Sequence, residues 1–470
     1  MYTDTISAIS TALGEGGIGI VRMSGAQSLE ILQNIFRNPS GKARLKYDSH
    51  RLYYGQIVDP EASEDAQGDT LDEVMAVYLA APKTYTREPM VEINCHGGVV
   101  PLERVLNLTL RQGARLAEPG EFTLRAFING RIDLAQAEAV VDVIRSKTGP
   151  GLEQALGQLA GNLSRRIAGV RQGLLSSLAH LEAMIDFPED DVPPASVAPQ
   201  VKTVLEELNK LLATADAGMI YRQGIRAAIV GVPNVGKSSL LNALLRADRA
   251  IVTPVAGTTR DIIEETVNIR GVPVVLVDTA GITATEDIVE ALGIERSRQA
   301  LSSADLLLLV LDASRYLAKG DLELVEAVKE ELAKESGKKA CVILNKEDIE
   351  PHLLTPGDIS ELLPGLPVVS ISARTGEGLA ELEETLARLA LGGQNVATRS
   401  VMITNERHRR ALERSREHLE AAIGSSEAGL PADFVSIDLR MALDALGEIT
   451  GESVQDSLLR EIFENFCIGK

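Results

Sequence analysis

The chain has 470 residues and a formal net charge of −20, which is length enough for two or three domains with substantial cores. The acidic balance argues against a protein that coats nucleic acid through unselective phosphate contacts, since those depend on lysine and arginine. Cys95, Cys341 and Cys467 share no metal-ligand spacing, Asp4 and the glycines between Gly14 and Gly19 interrupt any secretory leader, and the longest apolar run, Leu306 to Leu311, is too short for a bilayer; the expectation is a cytoplasmic protein without a membrane anchor.

Residues 1–125 mix both element types. Ile18 to Arg22, Tyr53 to Val58, Glu73 to Ala80 and Met90 to Cys95 read as strands, Leu102 to Gln112 as a helix, and the acidic stretch from Asp59 to Asp72 as a mobile loop. From Phe127 to Phe187 the apolar residues recur at helical spacing, as at Leu152, Leu156, Leu159 and Leu163. After the breaker Pro188 to Pro194, helix resumes from Val197 to Ala217. An alternation of short apolar strands and helices follows over roughly 219–387, and helix returns from Asn405 to Phe466. The fold class expected is multidomain. It comprises an α+β domain (1–125), an all-α helical domain in two parts (126–218 and 388–470), and an α/β P-loop domain (219–387) inserted between those parts. Such an insertion needs only that the inserted domain's ends lie close together at its surface. The helix carrying Arg407, Arg409, Arg410, Arg414 and Arg416 also carries Glu406, Glu413, Glu417 and Glu420, the pattern of a salt-bridged solvated face more than of a nucleic-acid patch.

The inserted segment carries chemistry. Residues 226–230 form a short apolar strand, residues 231–238 read G-x-x-x-x-G-K-S, and an apolar helix opens at Ser238. Backbone N–H groups of such a loop converge on one point, so Asn234, Val235, Gly236, Lys237, Ser238 and Ser239 form a phosphate cradle, with Lys237 as a point charge and the Ser238 hydroxyl as a Mg2+ ligand. The apolar run 274–277 ends at Asp278-Thr279-Ala280-Gly281, which places a carboxylate for the Mg2+ shell and a glycine N–H for a γ-phosphate. Asn345-Lys346-Glu347-Asp348 follows the strand 341–344, and Asp348 can accept from the two N–H donors that guanine has and adenine lacks. Ser372-Ala373-Arg374 backs the base, and Thr258 or Thr259, in the stretch Thr253-Pro254-Val255-Ala256-Gly257-Thr258-Thr259, supplies the switch threonine for Mg2+. These boxes together predict GTP binding.

One position departs from the small signalling GTPases. Ile282 stands where they carry the glutamine that orients the attacking water, so catalytic help must come from elsewhere. Asn234 is a candidate to hold a monovalent cation beside the phosphates, or else a brace within the loop. Glu290 is a candidate to position water, or else part of a solvated helix face.

The arrangement resembles the MnmE (TrmE) family of tRNA-modification GTPases over the whole chain. The resemblance rests on Asp4 to Ala8, Gly17 to Gly25, Lys83 to Gly98, Pro119 to Glu138, the nucleotide boxes and the terminal Cys467-Ile468-Gly469-Lys470. It implies a homodimer built on the N-terminal domain, and a folate site for a 5-formyl-tetrahydrofolate-type donor at Arg22, Glu88, Arg131 and Lys470. It further implies a flavin- and NADH-using partner, MnmG (GidA), with which an aminomethyl-type group is installed at C5 of the wobble uridine of certain tRNAs. Potassium stimulation is implied too, with Asn234, Thr253, Val255 and Thr258 around the potassium, Thr259 left to the Mg2+, and Glu290 helping to position water. Arg131 stands where other members have lysine, which keeps the charge but not the geometry. Cys467 is open between a reactive thiol and a packed helix-end residue. The rival reading is a ribosome-assembly GTPase that binds ribosomal RNA, and a membrane-remodelling GTPase finds no basic amphipathic helix to support it.

Overall fold

The computed structural model describes residues 3–61, 69–186, 197–247, 265–277, 301–334, 337–393 and 401–469. The chain divides into two compact units, residues 1–141 with 447–470, and residues 142–446.

The first unit is built on strands β1 (Ile6–Ile9), β2 (Gly16–Ser24), β3 (Phe36–Arg37), β4 (Arg51–Asp59), β5 (Asp69–Leu79), β6 (Met90–Gly97) and β7 (Arg115–Leu116), with helices α1 (Ser28–Ile35), α2 (Val99–Arg111) and α3 (Glu121–Ile128). The strands join in one sheet of order β3-β4-β5-β6-β2-β1-β7. Strand side chains alternate between faces. Val21, Met23, Val91 and Ile93 therefore pack with Ile31, Leu32, Leu102 and Val105 of α1 and α2, while Ile6, Ala8 and Met90 pack with Phe122 of α3. Arg22, between Val21 and Met23, is turned to the Phe122 side. The expected strands and helix are all present, and β5 takes in Asp69 to Asp72 of the segment expected to be a loop. The four-residue β1 and the two-residue β3 and β7 are too short to leave a period in the sequence.

The long helical stretch resolves into α4 (Leu134–Arg145), α5 (Gly149–Leu159), α6 (Asn162–Asp186), α7 (Ala198–Leu212) and α8 (Ala215–Gln223). Thr148 caps α5, its hydroxyl accepting from the Gly151 N–H. The nucleotide-domain elements follow: β8 (Ile225–Val230), α9 (Lys237–Ala247), β9 (Glu265–Ile269), β10 (Val272–Val277), β11 (Leu306–Asp312), α10 (Lys319–Ala333), β12 (Lys339–Asn345), α11 (Pro356–Leu362), β13 (Val368–Ser370) and α12 (Leu379–Ala390). Their sheet has the order β13-β12-β11-β8-β10-β9, parallel except for the β9–β10 pair. Every residue of β11 is buried, as a central parallel strand requires. Leu306, Leu308 and Val310 enter one apolar layer, and Leu307, Leu309 and Leu311 the other.

Helices α13 (Glu406–Glu427), α14 (Ala432–Thr450) and α15 (Asp456–Glu464) complete the chain. On α13 the arginines pair along the helix, Arg409 with Glu413 and Arg410 with Glu406, each at 3.0 Å. That is the solvated ion-pair face expected. Residues 447–470, grouped by the sequence reading with the helical residues 388–446, fall within the first unit, where Phe463 and Phe466 pack on Leu134, Ala137 and Val141. Among the described residues no helix is long and apolar enough to cross a membrane.

Candidate nucleotide site and N-terminal polar cluster

The C-terminal ends of the parallel strands gather the described nucleotide boxes, where an open α/β sheet places its ligands. The loop after β8 turns through Asn234, at φ 65°, and Gly236, at φ 98°, before α9 opens at Lys237. Asparagine tolerates the left-handed conformation better than other side chains, and glycine is required where Gly236 sits, since a Cβ there would stand 2.2 Å from Asn345 Nδ2. Val235 is fully buried and nails the loop to the core, a burial worth about 1.5–3 kcal/mol. The Lys237 ammonium folds back onto its own loop, donating to the Gly231 carbonyl at 2.8 Å and the Val232 carbonyl at 2.9 Å, and burial holds its pKa below the usual lysine value. A cation spanning a ring of carbonyls and N–H groups at a helix N-terminus is suited to phosphate oxygens. Ser238 and Ser239 are exposed in the first turn of α9.

The guanine box is fixed to its surroundings. Asn345 Nδ2 donates to the Val235 carbonyl at 2.8 Å, and its Oδ1 accepts from the Ala373 N–H at 3.0 Å, so one amide ties β12 to the phosphate loop and to the loop after β13. Lys346 takes φ 71° and sends its ammonium 2.7 Å to Asp312 Oδ2. Asp348 Oδ1 accepts from the Ser372 hydroxyl at 2.6 Å, and its other oxygen pairs with Arg374. The Ser372 bond, helped by Arg374, holds the Asp348 carboxyl below the ordinary carboxylate range, so it meets a base as the ion. Asn234, Val235, Gly236, Lys237, Asn345, Lys346, Asp348, Ser372, Ala373 and Arg374 thus belong to one connected site. Sequence reasoning missed Asp312, whose only local signal is an acidic residue ending an apolar strand. No described residue bonds the exposed Asn234 amide. Thr253, Pro254, Val255, Ala256, Gly257, Thr258, Thr259, Asp278, Thr279, Ala280, Gly281, Ile282 and Glu290 lie outside the described residues.

A separate polar cluster occupies the Phe122 face of the first unit. Arg22 donates to Glu92 Oε1 at 2.9 Å and to the Gly469 carbonyl at 3.2 Å, with its guanidinium 5.9 Å from the Phe122 ring centre. Arg131 lies over the Tyr85 ring at 4.6 Å and donates to the Tyr85 carbonyl at 3.1 Å. Glu88 accepts from Ser24 Oγ at 2.7 Å and from Arg125 at 3.3 Å. Fully buried Arg125 also bonds Asp4 Oδ1 at 2.8 Å and Glu121 Oε1 at 2.9 Å, a network with no local trace in the sequence. Burial alone would raise the Asp4 and Glu121 carboxyls, but Arg115 and Arg125 hold both below the ordinary range. The tail reaches this cluster because Gly469, at φ 92°, passes so close to β1 that a Cβ would stand 2.3 Å from the Ile9 carbonyl. Lys470 lies outside the described residues. Cys95 and Cys341 are buried, with thiols pushed up to about 12 by desolvation, whereas Cys467 is exposed.

The parallel sheet, the glycine-bent loop at the start of α9 and a carboxylate placed for guanine define a P-loop guanine-nucleotide-binding protein. The model described as the MnmE helical domain matches residues 134–467, and that described as GTP-binding protein TrmE N-terminus matches residues 5–131. The tRNA modification GTPase MnmE of Alkaliphilus oremlandii (strain OhILAs) is 50% identical over 475 residues, covering 100% of each chain. Those of Geobacillus kaustophilus (strain HTA426), 50% identical over 471 residues and 99% of each chain, and Enterococcus faecalis (strain ATCC 700802 / V583), 49% identical over 474 residues, 100% of this chain and 99% of that one, are similarly alike. The chain belongs to the MnmE family of tRNA modification GTPases and is a GTP hydrolase.

Proposed function

We propose that this tRNA-modifying GTPase works as a potassium-stimulated homodimer in the cytoplasm. With an MnmG-type flavoprotein partner and a 5-formyl-tetrahydrofolate-type donor, it installs an aminomethyl-type group at C5 of the wobble uridine of certain tRNAs. The observation that carries the reading is one chain of this family holding both a connected guanine-nucleotide site and a second polar cluster that its own C-terminal tail joins.

In the nucleotide site the residues do the binding and positioning. Asn345 and Val235 keep the phosphate loop in one shape, Lys237 leaves its two carbonyls for phosphate oxygens, and Asp348 fixes the base as guanine. Ser238 fits Mg2+ through its hydroxyl in the first turn of α9, with Thr259 as the second hydroxyl. Potassium beside the phosphates would supply positive charge to the transition state, in place of the arginine that other GTPases use there. Asn234 suits that role because its amide is exposed and braces no described residue, with Thr253, Val255 and Thr258 completing the cation's surroundings and Glu290 positioning water. In the first unit, Arg22 and Arg131 beside the Phe122 and Tyr85 rings offer charge and flat apolar surface to a planar ligand with a glutamate tail, and Glu88 offers an acceptor to its pterin edge. Lys470, one residue beyond the Gly469 carbonyl that Arg22 holds, adds a further positive charge.

Two measurements on the full chain test the finer reading. GTP hydrolysis should be much faster in potassium than in sodium, a difference that Asn234→Ala erases while sparing nucleotide affinity. Calorimetry should show 5-formyl-tetrahydrofolate binding that Arg22→Ala weakens and removal of residues 467–470 abolishes. Equal rates in the two salts would refute the potassium role, and full affinity in both variants would move the folate site elsewhere.

A further inference from the structure

We infer that Asp312, at the end of β11, is a positioning residue for the nucleotide: it holds Lys346, and through it the guanine-recognition turn and the phosphate loop, in the geometry that receives GTP. The inference rests on the reading of this site as a guanine-nucleotide site.

Lys346 stands in a left-handed backbone conformation, which for a lysine costs on the order of 1 kcal/mol and persists only where neighbours enforce it. Its ammonium is the enforcing handle, 2.7 Å from Asp312 Oδ2. Asp312 is itself held from several sides. It is 6% exposed, its Oδ1 accepts from the Ser314 N–H at 3.0 Å and the Ser314 hydroxyl at 2.6 Å, and Arg315 Nε lies 3.8 Å from Oδ2. Arg315 is in turn gripped by buried Asp321 through two bonds of 2.7 and 3.0 Å. Burial raises the Asp312 carboxyl, yet the bonds from Lys346 and Ser314 outweigh it and keep the group ionised.

The neighbouring residue connects this anchor to the phosphates. Asn345 receives the Ala313 N–H on its carbonyl at 2.9 Å and sends its side-chain N–H to the Val235 carbonyl. Strand ends β11 and β12 are therefore laced twice, once through backbone and once through the Asp312–Lys346 pair, and the phosphate loop hangs from the same turn. Without the carboxylate, Lys346 loses the partner that holds it left-handed, and the Asn345 amide beside it loses its aim. Base and loop contacts are common to GTP, GDP and the transition state, so the loss falls on binding and not on the chemical step.

The test uses the full chain with Asp312→Ala, Asp312→Asn, Lys346→Ala and the Asp312→Ala/Lys346→Ala double variant, read by GDP and GTP dissociation constants, steady-state hydrolysis and nucleotide-free thermal unfolding. Asp312→Ala should raise both dissociation constants and KM roughly tenfold or more and leave kcat within about a factor of two, as loss of uniform binding requires. Asp312→Asn keeps one carbonyl oxygen, enough for Ser314 or for Lys346 but not for both, so it should also raise both dissociation constants, by less than Asp312→Ala. The double variant should be no worse than Lys346→Ala, since both remove one interaction. Unchanged affinities, a kcat loss with KM preserved, or an additive double variant would overturn the inference. If the alanine variant does not fold, unchanged affinity in Asp312→Asn overturns it alone. Failure of the unmutated chain to bind GTP would instead refute the nucleotide-site reading.

Discussion

Exchanging Asp348 for asparagine should convert guanine preference into xanthine preference. The carboxylate is set for the base by the Ser372 hydroxyl at 2.6 Å on Oδ1, a bond that the asparagine carbonyl can keep. The other oxygen becomes an NH2 that faces Arg374, whose side chain is 76% exposed and turns away into water at little cost. Guanine then meets an N–H where it needs an acceptor. One charge-assisted bond is lost with its two donors left facing each other, and the remaining bond loses its charge, so GDP and GTP affinity should fall by roughly two to four orders of magnitude. Xanthine carries a C2 carbonyl in place of the amino group, which the new NH2 can satisfy, so xanthosine nucleotides should gain what guanine loses to within about tenfold. The assay is competition of GDP and xanthosine diphosphate against a fluorescent nucleotide at fixed Mg2+, with thermal unfolding to confirm that the variant folds. A folded variant that still prefers guanine would refute the assignment of Asp348.

Asn345→Ala removes both the Val235 and the Ala373 bonds, and GTP affinity should fall by about 1–3 kcal/mol with no change in base preference, measured by the same competition. Arg125→Ala strands Asp4, Glu88 and Glu121 around an empty buried site and should destabilise the first unit by about 3–5 kcal/mol, read by denaturant unfolding. The same contacts set a pH dependence. The folded pKa values of Asp4 and Glu121 lie below their unfolded values, so their contribution is fully present above the unfolded carboxylate range near pH 4 and is lost as pH falls through the lower folded values. Acid titration of Arg125→Ala should therefore show a shallower loss of stability below about pH 4 than the unmutated chain. Gly469→Ala should displace the tail from Arg22 and lower formyl-folate affinity while GTP binding stays intact, since the added Cβ would stand 2.3 Å from the Ile9 carbonyl.

What the sequence showed of this protein follows the range of the interactions involved. The phosphate loop, the asparagine-lysine-aspartate turn and the Ser372 loop are contiguous residues whose chemistry is set by spacing along the chain, and each sits on the element its motif demands. Asp312 escaped because its partner, Lys346, is 34 residues away in sequence, and only the parallel pairing of β11 with β12, which sets Asp312 opposite Asn345, brings the two together. Arg125 escaped more completely: it reads as one polar residue on an amphipathic helix, yet it is fully buried by carboxylates from residues 4, 88 and 121. The proximity of the C-terminus to Arg22, across 447 positions of sequence, came from family resemblance and not from any periodicity. Strand β1 was missed because four residues leave no alternation to detect, although it pairs with β2 on one side and β7 on the other.

The measurement closest to the central claim is mass analysis of wobble uridines in tRNA from cells lacking their own member of this family and supplied with either this chain or its Lys237→Ala variant. The account expects the modification to return with the unmutated chain and to remain absent with Lys237→Ala, although that variant accumulates as folded protein. Unmodified uridine with the unmutated chain and its flavoprotein partner present, or full modification with Lys237→Ala, would contradict it.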